Sequence, residues 1–138
     1  MKVDDMTRTP AILKRSDWAS HDTNWHGKFQ GKDIGTNVTV LFYTTEEIGK
    51  GARLHTHPYD EIFIIRTGRA RFTIGGEEIA AEAGRILLGP AGLPHKFVNL
   101  GPDLLEITGI HLNDTWIQTN LDEPPLVPGP SEQDVNNP

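Results

Sequence analysis

Apolar residues in the middle of the chain come in short runs cut by Gly and Pro, and the polar ones fall between them at strand rather than helix spacing. Thr36 to Thr44 (TNVTVLFYT) is β-branched and aromatic, and Glu61 to Arg66 (EIFIIR) is a second apolar run. Arg69 to Ile74 (RARFTI) alternates polar and apolar, the period that puts one face of a strand on a core. Gly75-Gly76 then fits a two-residue hairpin turn, since glycine tolerates positive φ, and Glu77 to Ala80 is predicted to pair back. Ile86 to Leu88, Lys96 to Leu100 and Leu104 to Leu112 are further predicted strands. No helix of more than two turns is predicted; Asp17 to Asn24 is expected to form a single turn. Short strands at this spacing with Gly/Pro turns predict an all-β sandwich or barrel.

This pattern divides the chain into three parts. Residues 1–33 form a polar N-terminal arm, partly strand-forming, that carries Trp18, Trp25 and Phe29. Residues 34–121 form the barrel, and residues 122–138 a Pro-rich tail unable to build a core. The 138 residues suit one folded domain. The net charge of −6 and scattered basic residues argue against a nucleic-acid partner. No apolar stretch approaches the ~20 residues that span a bilayer, so no membrane role is expected. The polar N-terminus lacks the apolar core of a secretory signal, and a cytoplasmic location is the expectation. The absence of cysteine excludes disulfides, thiolate metal sites and Cys nucleophiles.

Candidate chemistry lies in two segments. His55 and His57 are two apart, so on a strand their imidazoles share a face. Pro58-Tyr59-Asp60 forms a turn that brings Glu61, at the head of the next strand, toward them. His95 follows a second Pro/Gly-rich turn and closes the set. Three imidazoles and a carboxylate suit one divalent transition metal: Fe, Mn, Ni, Co, Cu or Zn. Four protein ligands on an octahedral ion leave two positions for water or substrate, as a catalytic site requires.

These segments resemble the cupin superfamily, whose motifs read G-x5-H-x-H-x3,4-E-x6-G and G-x5-P-x-G-x2-H-x3-N. Gly49, His55, His57, Glu61 and Gly68 match the first at every fixed position, and Gly84, Pro90, Gly92, His95 and Asn99 match the second. The resemblance covers about residues 37–112. It implies a double-stranded β-helix, the jelly-roll barrel, with His55, His57, Glu61 and His95 as metal ligands inside it. It also implies turn glycines at positions 49, 68, 84 and 92 and a structural Asn99 that ties strands together. Small single-domain cupins of this kind pair as homodimers through exchanged or packed N-terminal strands.

Other residues carry weaker expectations. His111 faces the metal pocket if Ile107, Gly109 and His111 point inward, where it is a catalytic acid/base or substrate contact; otherwise it is a hydrogen-bonded histidine at the barrel rim. Tyr43, Phe63, Phe72 and Phe97 are expected to serve as core and pocket wall. Trp116 is expected to cover the barrel mouth or a partner. His21, His26 and Tyr59 are expected at the surface. The arginines at 53, 66, 69, 71 and 85 raise an anionic substrate, but Arg69 and Arg71 alternate with apolar neighbours and fit a solvent face. With few acids or amides on the expected wall, the substrate reads as a small apolar or aromatic molecule. The expected function is a metal-dependent enzyme, foremost for dioxygenase-type oxidation. A Lewis-acid isomerase, epimerase or lyase, and a non-catalytic binding or sensor protein, are the alternatives.

Overall fold

The computed structural model describes residues 8–123. Its strands are β1 (Gly27–Phe29), β2 (Thr39–Thr45), β3 (Gly51–Thr56), β4 (Glu61–Thr67), β5 (Arg69–Ile74), β6 (Glu77–Glu82), β7 (Ile86–Gly89), β8 (His95–Asn99), β9 (Leu105–His111) and β10 (Thr119–Asn120). They form two five-stranded antiparallel sheets, ordered β1-β2-β9-β4-β7 and β10-β3-β8-β5-β6. Apart from the β1–β2 and β5–β6 hairpins, successive strands cross between sheets, which is the jelly-roll arrangement that the cupin resemblance implies. The predicted turn over Asp17 to Asn24 lies earlier, at Arg15–Trp18, where the Asp17 carboxylate accepts from the Lys14 backbone N–H at 2.8 Å. The tail expected over 122–138 lies outside the described residues from 124 onward, as do residues 1–7 of the arm.

Local chemistry explains the strand ends. Gly75 and Gly76 both have positive φ, 58° and 86°, and connect β5 to β6 with Ile74 opposite Glu77, the conformation that matches strand twist. Gly68, between β4 and β5, has φ 87°, and a Cβ there would lie 2.2 Å from the Leu104 carbonyl oxygen, so nothing larger fits. Asn99 is buried and ties loops rather than strands: its amide donates to the Glu47 and Asp103 carbonyls, and its Oδ1 accepts from Gly101 N–H.

The register places core and site on the same strands. On the inner face of the first sheet, Tyr43, Ile107 and Ile65 stand side by side. The next inward row is Lys28, Leu41, Gly109, Phe63 and Leu87, and beyond it lie Thr39, His111, Glu61 and Gly89. On the second sheet Phe72 pairs with Phe97, and the next inward pairings set His95 between Ile74 and His55. The sandwich is therefore apolar at one end, where Phe63 meets Phe72 at 5.0 Å, and polar at the other. Arg69 and Arg71 point to solvent as expected. The arm packs on the outer face of the first sheet, with Trp18 4.7 Å from Trp25 and 4.9 Å from Phe42.

A candidate metal centre between the sheets

The polar end gathers five side chains from both sheets. His55 and His95 face each other across β3 and β8, their rings 4.3 Å apart. Glu61 and His111 face each other across β4 and β9. His57 sits just past β3, in the loop that carries the chain from the second sheet to the first. All five are buried. The expected inward direction of Ile107, Gly109 and His111 is what β9 shows, and His111 is fully enclosed rather than at a rim.

Gly109 makes the room. A Cβ at this position would lie 2.4 Å from Glu61 Oε2, so the carboxylate occupies the space a side chain would take. Glu61 Oε1 lies 3.2 Å from both His57 Nε2 and His95 Nε2, while Oε2 lies 3.0 Å from His111 Nε2.

Each of the three predicted ligand histidines turns its other nitrogen onto a backbone carbonyl. His55 Nδ1 donates to Arg53 O at 2.5 Å, His57 Nδ1 to Ile117 O at 2.7 Å, and His95 Nδ1 to Leu93 O at 3.3 Å. A neutral imidazole has one N–H, so each Nε2 is left as a bare lone pair. His57 Nε2, His95 Nε2 and Glu61 Oε1 are buried with no hydrogen-bond partner. Three electron-pair donors packed together without a hydrogen repel one another, and buried polar atoms in this state are costly. A cation among them removes both penalties. The donor atoms of His55, His57, Glu61 and His95 all lie within 4.8 Å of one another, near the spread expected when each is about 2 Å from one ion. The four residues could thus hold a metal ion, and the carbonyl contacts fix the tautomers it needs.

Charge states agree. Burial pushes His55 down to about 4, against the carbonyl of Arg53, so the imidazole is neutral. His111 is likewise lowered by burial, which outweighs the carboxylate beside it. Burial alone would raise Glu61, but the contact with His111 leads those that outweigh it and hold the carboxyl below its usual range. Neutral imidazoles and an ionised carboxylate are the forms that bind metal.

The centre opens on a cavity of about 270 Å³. Phe63, Phe97, Leu41 and Trp116 line it, with His55, Glu61 and His111 at its floor. Trp116 stacks on His111 at 4.5 Å and its backbone N–H donates to Gln30 Oε1, which fixes this part of the lining in place. Several sequence expectations change here. Of the four expected wall residues, Tyr43 and Phe72 stand behind the wall: Tyr43 packs 5.1 Å from Phe97, and Phe72 is fully buried against Phe63 and Phe97. The wall is less apolar than expected, because Lys28, Arg53 and Gln118 line it too. Tyr59 is not at the surface. It is buried, stacks on His57, and its hydroxyl lies 2.6 Å from His111 Nδ1. His26 is half-buried and accepts from Thr44 N–H, whereas His21 is exposed. Tyr59 was hidden in sequence because its partner lies 52 residues away and only the β4–β9 register joins them.

Comparison with known proteins agrees with this architecture. The family model described as a cupin domain matches residues 42–111, just over half of the chain. An uncharacterized protein of Streptomyces coelicolor is 38% identical over 68 residues, which are 49% of this chain and 64% of that protein. Among solved structures, the Lactobacillus farciminis oxalate decarboxylase formate complex is similar with a TM-score of 0.67 at 17% identity, over 79% of this chain and 35% of that one. A mutant of Bacillus subtilis oxalate decarboxylase is similar with a TM-score of 0.63 at 20% identity, over 72% of this chain and 29% of that one. The chain thus spans about a third of these decarboxylases and under two thirds of the Streptomyces protein.

Proposed function

The chain belongs to the cupin family, and on that footing we propose that it is a metal-dependent enzyme acting on a small organic molecule, with His55, His57, Glu61 and His95 as the ligands of one divalent transition metal. One observation carries the reading: three buried lone-pair atoms, His57 Nε2, His95 Nε2 and Glu61 Oε1, face one another without a hydrogen, and Glu61 and the fourth ligand His55 line a cavity open to a ligand. Bacillus subtilis oxalate decarboxylase is a protein with Mn(II) centres, which adds manganese to iron as a leading candidate here.

The metal would supply a Lewis acid with positions free for exogenous ligands, or a redox centre if it is iron or manganese. The chain supplies the rest. Phe63, Phe97 and Leu41 exclude water from the floor. His111 sits against the outer oxygen of Glu61, and Tyr59 fixes the far nitrogen of His111. Together they hold the carboxylate so that its other oxygen faces the histidines. The apolar wall favours dioxygenase-type oxidation of a small apolar or aromatic group. A second reading, isomerisation or another proton-transfer reaction, is supported by the His111–Tyr59 pair, which could hold a proton beside the cavity. A homodimer belongs to the same proposal; Ile86 and Leu88, 67% and 53% exposed on edge strand β7, would be covered in it.

The test is anaerobic loading with Fe(II) or Mn(II), then addition of air and a panel of small aromatic and keto acids. Oxygen uptake coupled to substrate loss is the expected result. No uptake, with solvent deuterium entering a substrate carbon, would replace oxidation by proton transfer. Neither outcome with any substrate would contradict the enzymatic reading.

A further inference from the structure

Two cations line the cavity without an ion-pair partner among the described residues. Lys28 extends from β1 in the inward row that runs through Leu41, Gly109 and Phe63, and its Nζ lies 4.1 Å from the centre of the Trp116 ring. Arg53 lines the opposite sheet's side, at the irregularity in β3 between Ala52 and His55. Both are exposed, and among the described residues neither makes a salt bridge, whereas Lys50, Arg85 and Lys96 each have a carboxylate within 4 Å. Among the described residues the only acid lining the cavity is Glu61, buried at its floor and engaged with the histidines. Gln118 adds a neutral amide to the lining.

From this placement the geometry points to a substrate that carries a carboxylate, held at the mouth by Lys28 and Arg53, with a flat or apolar body lying along Leu41, Phe63 and Phe97 toward the metal centre. The inference rests on the proposed metal-dependent reading and narrows its substrate class. Unpaired cations beside a low-dielectric wall attract an anion more strongly than the same groups in open water. A charge-assisted hydrogen bond from ammonium or guanidinium to carboxylate is stronger than a neutral one. Trp116, steadied by Gln30, carries the Lys28 ammonium over its ring and so holds that charge at the cavity, while the apolar side chains of Leu41, Phe63 and Phe97 receive the body of the acid. The lining thus selects for an acid over its uncharged analogue.

The experiment uses the full chain loaded with zinc, which fills the centre without redox turnover. Binding of benzoate and propionate, each against its own amide, is measured by calorimetry for the wild type and for the Lys28→Gln/Arg53→Gln double variant. The proposal expects at least one acid to bind about 10-fold or more tighter than its amide in the wild type. The double variant should lose about 10-fold or more for that acid, with amide binding and zinc content unchanged. Dependence on the two cations separates this from an acid that merely ligates zinc. Equal affinity for acid and amide, no acid binding, or acid binding untouched by the double substitution would overturn the proposal. Zinc is quantified in the same samples. Full zinc without a Lys28- and Arg53-dependent acid preference contradicts this inference alone. That preference in protein unable to retain zinc contradicts the metal reading alone.

Discussion

The floor and the mouth of the cavity are built in opposite ways. The floor is closed: His55, His57, Glu61, His95 and His111 are all 5% exposed or less, come from both sheets, and are fixed by backbone carbonyls and by one another. The mouth is open: Lys28 and Arg53 are exposed, and Trp116 rests on a loop held by Gln30. Changing the floor disturbs packing, charge and metal together, since its groups share one buried network. Changing the mouth alters what binds and leaves the barrel standing. The two regions therefore separate stability and metal affinity from ligand choice.

The largest effect is expected at Gly109. Gly109→Ala places a methyl group in the space of the Glu61 carboxylate. Metal affinity should fall by about 100-fold, with a loss of about 1–3 kcal/mol in stability from overpacking. Competition with a chelator and urea unfolding measure the two, and wild-type values in both would remove Glu61 from the site as described. Next comes Tyr59→Phe, which deletes the hydroxyl on His111 Nδ1 together with its hydrogen bonds to the Ile117 backbone. A loss of about 10-fold in metal affinity with unchanged β-sheet circular dichroism is expected; no change would make Tyr59 mere packing.

A pH series on the metal-free protein is expected to give a smaller effect. The folded-state value for His55 is near 4 against an ordinary 6.5, so between these pH values the unfolded chain binds a proton that the folded chain refuses. Stability should fall as pH drops from about 6.5 toward 4, and His111 and the half-buried His26 push the same way. Glu61, held below its ordinary 4.5, adds a further loss below that pH. A flat thermal midpoint across this window would mean the histidines are solvated. The smallest effect belongs to the mouth: Lys28→Gln should move stability by no more than about 0.5 kcal/mol and leave metal affinity unchanged. A large change would join mouth to floor and break the contrast.

The same contrast explains what the sequence revealed. The floor was legible because its ligands sit at short fixed spacings in two segments, and because β-branched runs and Gly turns announce the strands that carry them. Gly75-Gly76 predicted its hairpin for the same local reason. Of the mouth, the sequence pointed to Trp116, left Arg53 as one arginine among five and did not mark Lys28 or Gln118, because Lys28 comes from the arm, Arg53 from an irregular stretch of β3, and Gln118 from beyond β9. Only the pairing of Lys28 with Leu41 and of Leu41 with Gly109 sets the arm against the cavity. Tyr59 failed for a related reason: a tyrosine after a proline reads as a surface turn, and its burial depends on His57 stacking and the distant His111.

The central claim is that His55, His57, Glu61 and His95 hold one metal ion. Elemental analysis of the purified wild type and of His57→Ala, after dialysis against equimolar Fe(II), Mn(II) and Zn(II), tests it most directly. The account predicts close to one equivalent of transition metal per wild-type chain and loss of most of it in the variant, while the strand content of both remains the same. Full metal retention by His57→Ala, or a wild type that binds none of the three, would contradict it.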